Sequence, residues 1–396
     1  MKRTYNFWLA LVVLLLPVTV QAEEEENGVS FTGSGFLTIA AGKVVSGDAA
    51  SDFNGYQGPL FIADYAQGGV YEGNELCFKA DSRIGLQGSA IFSPQFLLTG
   101  QAVLRATRNG KPDLEWAYGS YQFNDELSLQ LGRKRLPLFY YSETQDVGFS
   151  SPWIHLPPGQ YGWEIVNYNG ANLRYQGQWG SWSNSMEVFA GAETKEDNGY
   201  WKIYNGKNTR TDSRWSNLVG ADLMLAQDWF ETRIAYIQSN FQNRYEDPAA
   251  PPPYDYTPAA LQKIYSLSFS VDQHNWVVRN EYLYMDRKAV GEEDYSFLLG
   301  VGYRAGKFLP MLTYNQYKME LNPQYADPAL IAPASIDPLA AEGWSVLALS
   351  LSYALTHSSD IKVQLDRWID QNGPNFNGGV AYGNPTLLTL GYDLVF

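Results

Sequence analysis

The last nine residues, Leu388-Thr389-Leu390-Gly391-Tyr392-Asp393-Leu394-Val395-Phe396, constrain this chain more than any other stretch. Leu388, Leu390, Tyr392, Leu394 and Phe396 share one face of an extended strand, and Thr389, Gly391 and Asp393 share the other. The alternation runs to the final residue and ends on an aromatic ring. An apolar face carried to the tip of a strand needs an apolar surrounding along its whole length. In a soluble domain, an unpaired edge of this kind would invite aggregation.

The amino terminus has a matching character. Lys2 and Arg3 form a charged start, the stretch Phe7 to Val20 is almost wholly apolar, and Val20-Gln21-Ala22 supplies small residues before the acidic run Glu23 to Glu26. The apolar run is too short to span a bilayer comfortably, so residues 1–22 are expected to be a secretory leader cleaved after Ala22. Cleavage removes two of the 28 basic residues and no acidic one, leaving 26 against 42 and a net charge of −16. That balance excludes a basic stripe for nucleic acid. Cys77 is the single cysteine, so no intrachain disulfide forms.

Aromatic residues make up 15% of the chain and charged residues only 18%, yet mean hydropathy is −0.29. Beyond the leader no apolar run approaches 18 residues, so no helix is expected to span a membrane. An exported, aromatic-rich and Gly-rich chain whose apolar residues alternate fits an all-β barrel. Sixteen period-two segments can be read, near 30–44, 75–91, 96–107, 114–123, 127–135, 168–177, 182–192, 214–225, 229–242, 262–271, 276–287, 294–304, 309–321, 343–355, 361–370 and 385–396. Seven short connections, such as Asn124-Asp125-Glu126 and Ala226-Gln227-Asp228, alternate with eight others that are mostly long. Short turns on one side and long loops on the other are the layout of a transmembrane barrel. Trp182, Phe230 and Trp276 after short turns, and Trp215 and Tyr295 after long loops, fall on outward parity and predict two interfacial bands.

These features resemble the Gram-negative outer-membrane porin superfamily over residues 23–396, a single barrel domain. The terminal Phe396 behind Tyr392 and Leu394 resembles the signal read by the barrel-assembly machinery. Asp81-Ser82-Arg83-Ile84-Gly85-Leu86-Gln87 and Leu131-Gly132-Arg133-Lys134-Arg135-Leu136-Pro137 are similar to patterns of that superfamily. The resemblance implies a 16-stranded, trimeric-type barrel in outer-membrane lipid, with short periplasmic turns, long extracellular loops and a third loop, residues 136–167, folded into the lumen. It also implies passage of small hydrophilic solutes or ions and calls for no cofactor.

Parity assigns the lumen wall. With Ile84, Leu86 and Ala90 toward lipid, Lys79, Asp81, Arg83 and Gln87 point inward. By the same rule Gln101, Arg105, Asn172, Arg174, Glu231, Arg233, Arg279, Glu281, Arg304, Lys362, Gln364 and Asp366 do too. A charge facing lipid near the midplane costs roughly 2–4 kcal/mol, which favours that assignment. Arg133 falls on the outward row of Leu127, Leu129 and Leu131, and needs a bulge or the end of the strand to turn it inward. The third loop brings Glu143, Asp146, His155 and Glu164. Set against the wall, these carboxylates would face the arginines across the pore and create a transverse field.

Three other functions stay open. A solute-specific channel would carry a ladder of like residues down the lumen, and a structural or adhesin barrel would have a plugged lumen. A barrel enzyme would need a strand histidine, but His274 and His357 fall in short turns and His155 in the third loop. No nucleophile elbow or zinc spacing occurs. No catalytic or metal residue is therefore assigned.

Overall fold

The computed structural model describes residues 28–48, 52–246 and 252–396. The expected leader, residues 1–22, lies outside the described residues. Sixteen antiparallel strands close into one barrel in which each strand pairs with its neighbours in the chain. They are β1 (Ser30–Ser46), β4 (Arg83–Ser93), β5 (Phe96–Arg105), β6 (Pro112–Gln122), β7 (Leu127–Arg135), β8 (Asn167–Trp179), β9 (Trp182–Lys195), β10 (Thr211–Gln227), β11 (Phe230–Tyr245), β12 (Ala260–Gln273), β13 (Trp276–Arg287), β14 (Glu292–Tyr303), β15 (Phe308–Leu321), β16 (Gly343–Ala354), β17 (Ser359–Asp370) and β18 (Thr386–Val395). A small hairpin, β2 (Leu60–Asp64) and β3 (Gly69–Glu72), forms a second sheet in the first loop. The barrel strands run from 9 to 17 residues. Each is long enough for the ~9–11 tilted residues that cross a bilayer.

The carboxy-terminal strand closes the ring. β18 pairs with β1 through Ala40↔Gly391 and its neighbours, and Phe396 exchanges backbone hydrogen bonds with Gly35. A Cβ at Gly35 would lie 2.5 Å from the Phe396 ring, so only glycine lets that ring lie flat on β1. Leu388 and Leu390 are exposed on the outer wall, while Thr389 and Asp393 are buried inside. Aromatic pairs form two outer bands: Trp182–Phe230 and Trp276–Tyr303 near the short turns, and the run Tyr236–Tyr265–Tyr284–Tyr295 nearer the long loops.

Two of the barrel's register shifts move side chains that matter for the interior. In β10 the register slips between Ser216 and Val219, with Asn217 at φ 51°. The extra residue reverses the side of everything before it. Trp215, expected on the outer band, therefore points inward, is fully buried, and donates Nε1–H to Glu164 at 2.9 Å. In β6, Gln101 faces Trp116 and Ala102 faces Leu114, so Glu115 is the extra residue. Glu115 and Trp116 thus both reach the interior.

The lumen is not an open pipe. The β2–β3 hairpin turns inward and buries Leu60, Phe61 and Ile62 completely. The third loop, with the one-turn helix α1 (Pro158–Tyr161), and a later loop carrying α2 (Gly199–Asn205) pack onto it. Leu298, Met311, Trp344, Val346, Trp368 and Leu387 from β14–β18 complete this core. Trp344 stacks on Trp368 at 4.1 Å and on Tyr65 at 6.1 Å. The barrel therefore carries apolar packing inside one wall as well as outside it.

Candidate functional site

The third loop leaves β7 at Arg135 and is pinned at once, because the Leu136 N–H donates to the Val166 carbonyl at the loop's far end. From there its charged residues reach the wall one by one. Asp146 accepts from Arg105 Nη2 at 2.7 Å and from Arg135, while Arg83 Nε donates to the Asp146 carbonyl at 2.7 Å. Glu115, placed inward by its bulge, joins both arginines at 2.7 and 2.8 Å. Asp113 bonds Arg105 at 3.0 Å. Burial works against the Asp146 charge, but Arg105, Arg135 and Arg83 together hold this carboxyl well below the ordinary range.

Glu143 makes a two-pronged contact with Arg233, at 2.8 and 3.0 Å, and Arg233 also bonds Asp222 at 3.0 Å. Lys362 donates to the Gly148 carbonyl and to Asp393. A Cβ at Gly148 would lie 2.0 Å from an Asp393 oxygen, so the loop touches the wall there only as glycine. His155 sits between Asp81 at 3.2 Å and Asp366 at 3.3 Å. Burial alone would lower its pKa, yet the two carboxylates outweigh that and raise it to about 10. The imidazolium is thus a fixed cation.

One side of the loop leaves space. A cavity of about 70 Å³ lies between Glu143 on the loop and Trp116, Tyr118, Lys134, Arg174 and Glu187 on β6–β9. That is room for a few waters. On the opposite side, the spaces beside Trp163 and Trp344 and beside Trp153 and Val346 are each about 10 Å³. The buried Glu342 in that flank is satisfied by neutral donors, Trp344 Nε1, Tyr382 and Tyr204, at 2.9, 2.6 and 2.8 Å.

Several sequence-derived residues therefore meet and others do not. Arg83, Arg105 and Asp146 form one knot. Glu143 and Arg174 line opposite sides of the cavity, with Arg233 behind Glu143. Arg279 bonds Tyr141 at 2.9 Å and Asp272 at 2.8 Å, below the loop. Glu164 does not face Arg83, Arg105 or Arg174; it is buried against Arg287 at 2.7 Å and Trp215. Arg133 stays in the row of its register partners Ala117 and Asn169, where Glu193 at 2.7 Å and the Leu114 carbonyl hold it. Arg304 lies past the end of β14 in a short turn, 55% exposed and 3.5 Å from Asp272. Lys79 is an exposed turn residue, because β4 begins only at Arg83. The carboxylates of Asp146 and Glu143 are both neutralised in direct contact, by Arg105 and Arg135 and by Arg233; of the predicted arginines, Arg174 faces a loop carboxylate, Glu143, across a space.

Glu115, Lys134, Arg135, Glu187, Asp222 and Arg287 were not singled out by parity. Glu115 is hidden by its bulge, and Lys134 and Arg135 adjoin the awkward Arg133. Glu187 and Asp222 were legible: each is a carboxylate in mid-strand between flanking residues that alternate.

Comparison with known proteins gives likeness in structure. No protein-family model matches the chain, and no curated protein sequence matches it. The outer membrane channel DcaP of Acinetobacter baumannii superposes with a TM-score of 0.59 at 12% identity, covering 95% of this chain and 99% of that one. OmpF of Salmonella typhi, solved in complex with daunomycin, gives 0.56 at 12% identity, covering 93% and 98%. An anion-selective porin from Comamonas acidovorans gives 0.51 at 12% identity, covering 93% and 100%.

Proposed function

We propose that this chain, which has the fold of the 16-stranded porins of Gram-negative outer membranes, forms a water-filled outer-membrane channel through which small hydrophilic solutes and ions diffuse passively. The observation that carries the reading is the closed barrel with an inward third loop that leaves a charged space of about 70 Å³ between Glu143 and Arg174, wider than the space of about 20 Å³ beside Asp81, Arg83 and His155. Such a waist selects by size and charge without chemistry, so no catalytic residue is assigned. The knot of Arg83, Arg105, Arg135 and Asp146 fixes the loop, and Arg174, Lys134 and Glu143 line the path. Arg279 and Arg304 belong to the mouth on the short-turn side, and Lys79, Arg133 and Glu164 are not part of the waist.

Outer-membrane lipid contacts the exposed outward rows and the two aromatic bands. Phe396, with Tyr392 and Leu394, serves as the assembly signal for the barrel-assembly machinery, after cleavage of residues 1–22. The protein assembles as a homotrimer. A hollow of about 560 Å³ on the outer wall, lined by Phe31, Gly88, Leu98, Gly100, Gly119 and Leu131, offers a surface that a second copy can enter closely. The narrowness of the cavity favours a solute-selective version of the channel over a wide unselective one. Swelling of liposomes containing the protein tests the reading. A monosaccharide is expected to enter and a trisaccharide to be excluded, and absence of swelling with either would overturn it.

A further inference from the structure

The cavity beside the third loop has an imbalance in its hydrogen-bonding groups. Its acceptors are already engaged. Both Glu143 oxygens accept from Arg233, and Glu187 accepts from Asn172 and forms ion pairs with Arg174 Nε at 3.2 Å and Lys134 Nζ at 3.6 Å. Gln130 Oε1 accepts from Lys134. Its donors are not all engaged. The indole N–H of Trp116 is buried with no partner. Arg174 donates from Nε to Ser185 and pairs with Glu187 through the same nitrogen, 34% of its side chain is exposed, and among the described residues its Nη groups make no hydrogen bond. Among the lining charges, Lys134, Arg135 and Arg174 outnumber Glu143 and Glu187. The rings of Trp116 and Tyr118 lie side by side on this wall, 6.4 Å apart.

A buried donor without a partner is costly, and an arginine fork matches a carboxylate in shape and charge. We propose that this cavity is a recognition site for small organic carboxylates. The carboxylate accepts from Arg174 Nη and from the Trp116 N–H, and the flat apolar body of the solute rests on the Trp116 and Tyr118 rings. The inference rests on the channel reading above and gives it a substrate class. A cationic solute finds the cavity's carboxylates already paired with Arg233, Arg174 and Lys134, and Gln130 Oε1 already accepting from Lys134.

The test is ion current through single channels in a planar bilayer, with benzoate, acetate or benzylammonium added. Benzoate is expected to interrupt the current at lower concentration than acetate, and benzylammonium to leave it unchanged. Arg174→Gln should raise the benzoate concentration needed by about tenfold or more, the loss expected for a charge-assisted hydrogen bond. Trp116→Phe keeps a ring but removes the N–H, and should weaken the benzoate effect by about threefold to tenfold. Heat-modifiable mobility confirms folding of both variants. Open channels that respond alike to benzoate and benzylammonium would overturn the site while leaving the channel reading intact. So would a benzoate effect unchanged in both variants. A folded wild-type protein that conducts nothing would overturn the channel reading and the site with it.

Discussion

Toward β5–β11 the third loop presents Glu143 and Asp146 to Arg105, Arg135 and Arg233, with water-sized space beside them. Toward β14–β18 the same loop presents Trp153, Tyr161 and Trp163 to the first-loop hairpin and to Tyr317 and Trp344. Both flanks hold the loop, but with a different balance: the β14–β18 side adds a large apolar core to the buried contacts of His155 with Asp366 and of Lys362 with Gly148 and Asp393. On the aromatic side, water is expelled and dispersion and burial do the holding. On the charged side, ion pairs do it, and their neighbours stay hydrated. The difference teaches where a path can run: a solute can pass only where the wall and loop remain polar. In the proposed channel the passage is therefore displaced to the β6–β9 side, where the cavity lies, instead of running down the barrel axis.

The largest effect expected from breaking this contrast is on stability, with different functional consequences on the two sides. Asp146→Asn leaves Arg105 and Arg135 buried with Glu115 as their one remaining shared carboxylate, at a loss of up to about 3–5 kcal/mol. The loop should loosen on the charged side, so single-channel conductance should rise and become noisier as the melting temperature of the barrel falls. Phe61→Ala in the aromatic flank should cost a similar ~3–5 kcal/mol by opening a cavity. It should leave the conductance and its noise near the wild-type values. Equal changes in current from both variants would erase the distinction between the flanks.

A smaller effect follows from pH. His155 is held charged by Asp81 and Asp366, and its pKa is raised to about 10 from the ordinary 6.5. Its contribution is complete below about pH 6.5 and is lost as pH rises through about 10. Asp146 has the opposite sign: its carboxyl is held below the ordinary range, so its contribution is present above about pH 4 and is lost on acidification. The melting temperature of the barrel should therefore fall between pH 8 and pH 11 in the wild type and much less in His155→Gln. A fall of the same size in His155→Gln would assign the alkaline change to another group.

The outer wall was legible because lipid forces every second residue to be apolar. Leu388, Leu390, Leu347, Leu349, Val363 and Leu365 declare their strands without ambiguity, and the short turns mark one end. The lumen was less legible for two reasons. A single extra residue reverses parity, which moved Trp215 from the outer band to the interior and brought Glu115 beside Arg105. The interior of this barrel is also partly dry, and a rule that sends polar residues inward does not foresee Met311, Trp344 or Val346 there. The apolar residues on both faces of β16 were the available sign that protein, not water, covers its inner side. The β2–β3 hairpin was missed because Leu60–Asp64 and Gly69–Glu72 are too short to register as strands, and the second expected strand absorbed part of the first loop.

The central claim is the eccentric path, and thiol labelling tests it most directly. In a Cys77→Ser background, Arg174→Cys places a thiol on the charged side and Thr313→Cys places one on the aromatic side, where Thr313 now accepts from Trp153 Nε1 at 2.9 Å. A bulky, water-soluble methanethiosulfonate reagent is added to open channels in a planar bilayer. The account predicts a stepwise loss of most of the current with the cysteine at 174 and no change with the cysteine at 313. Block at 313, or unimpeded current after confirmed labelling at 174, would contradict it.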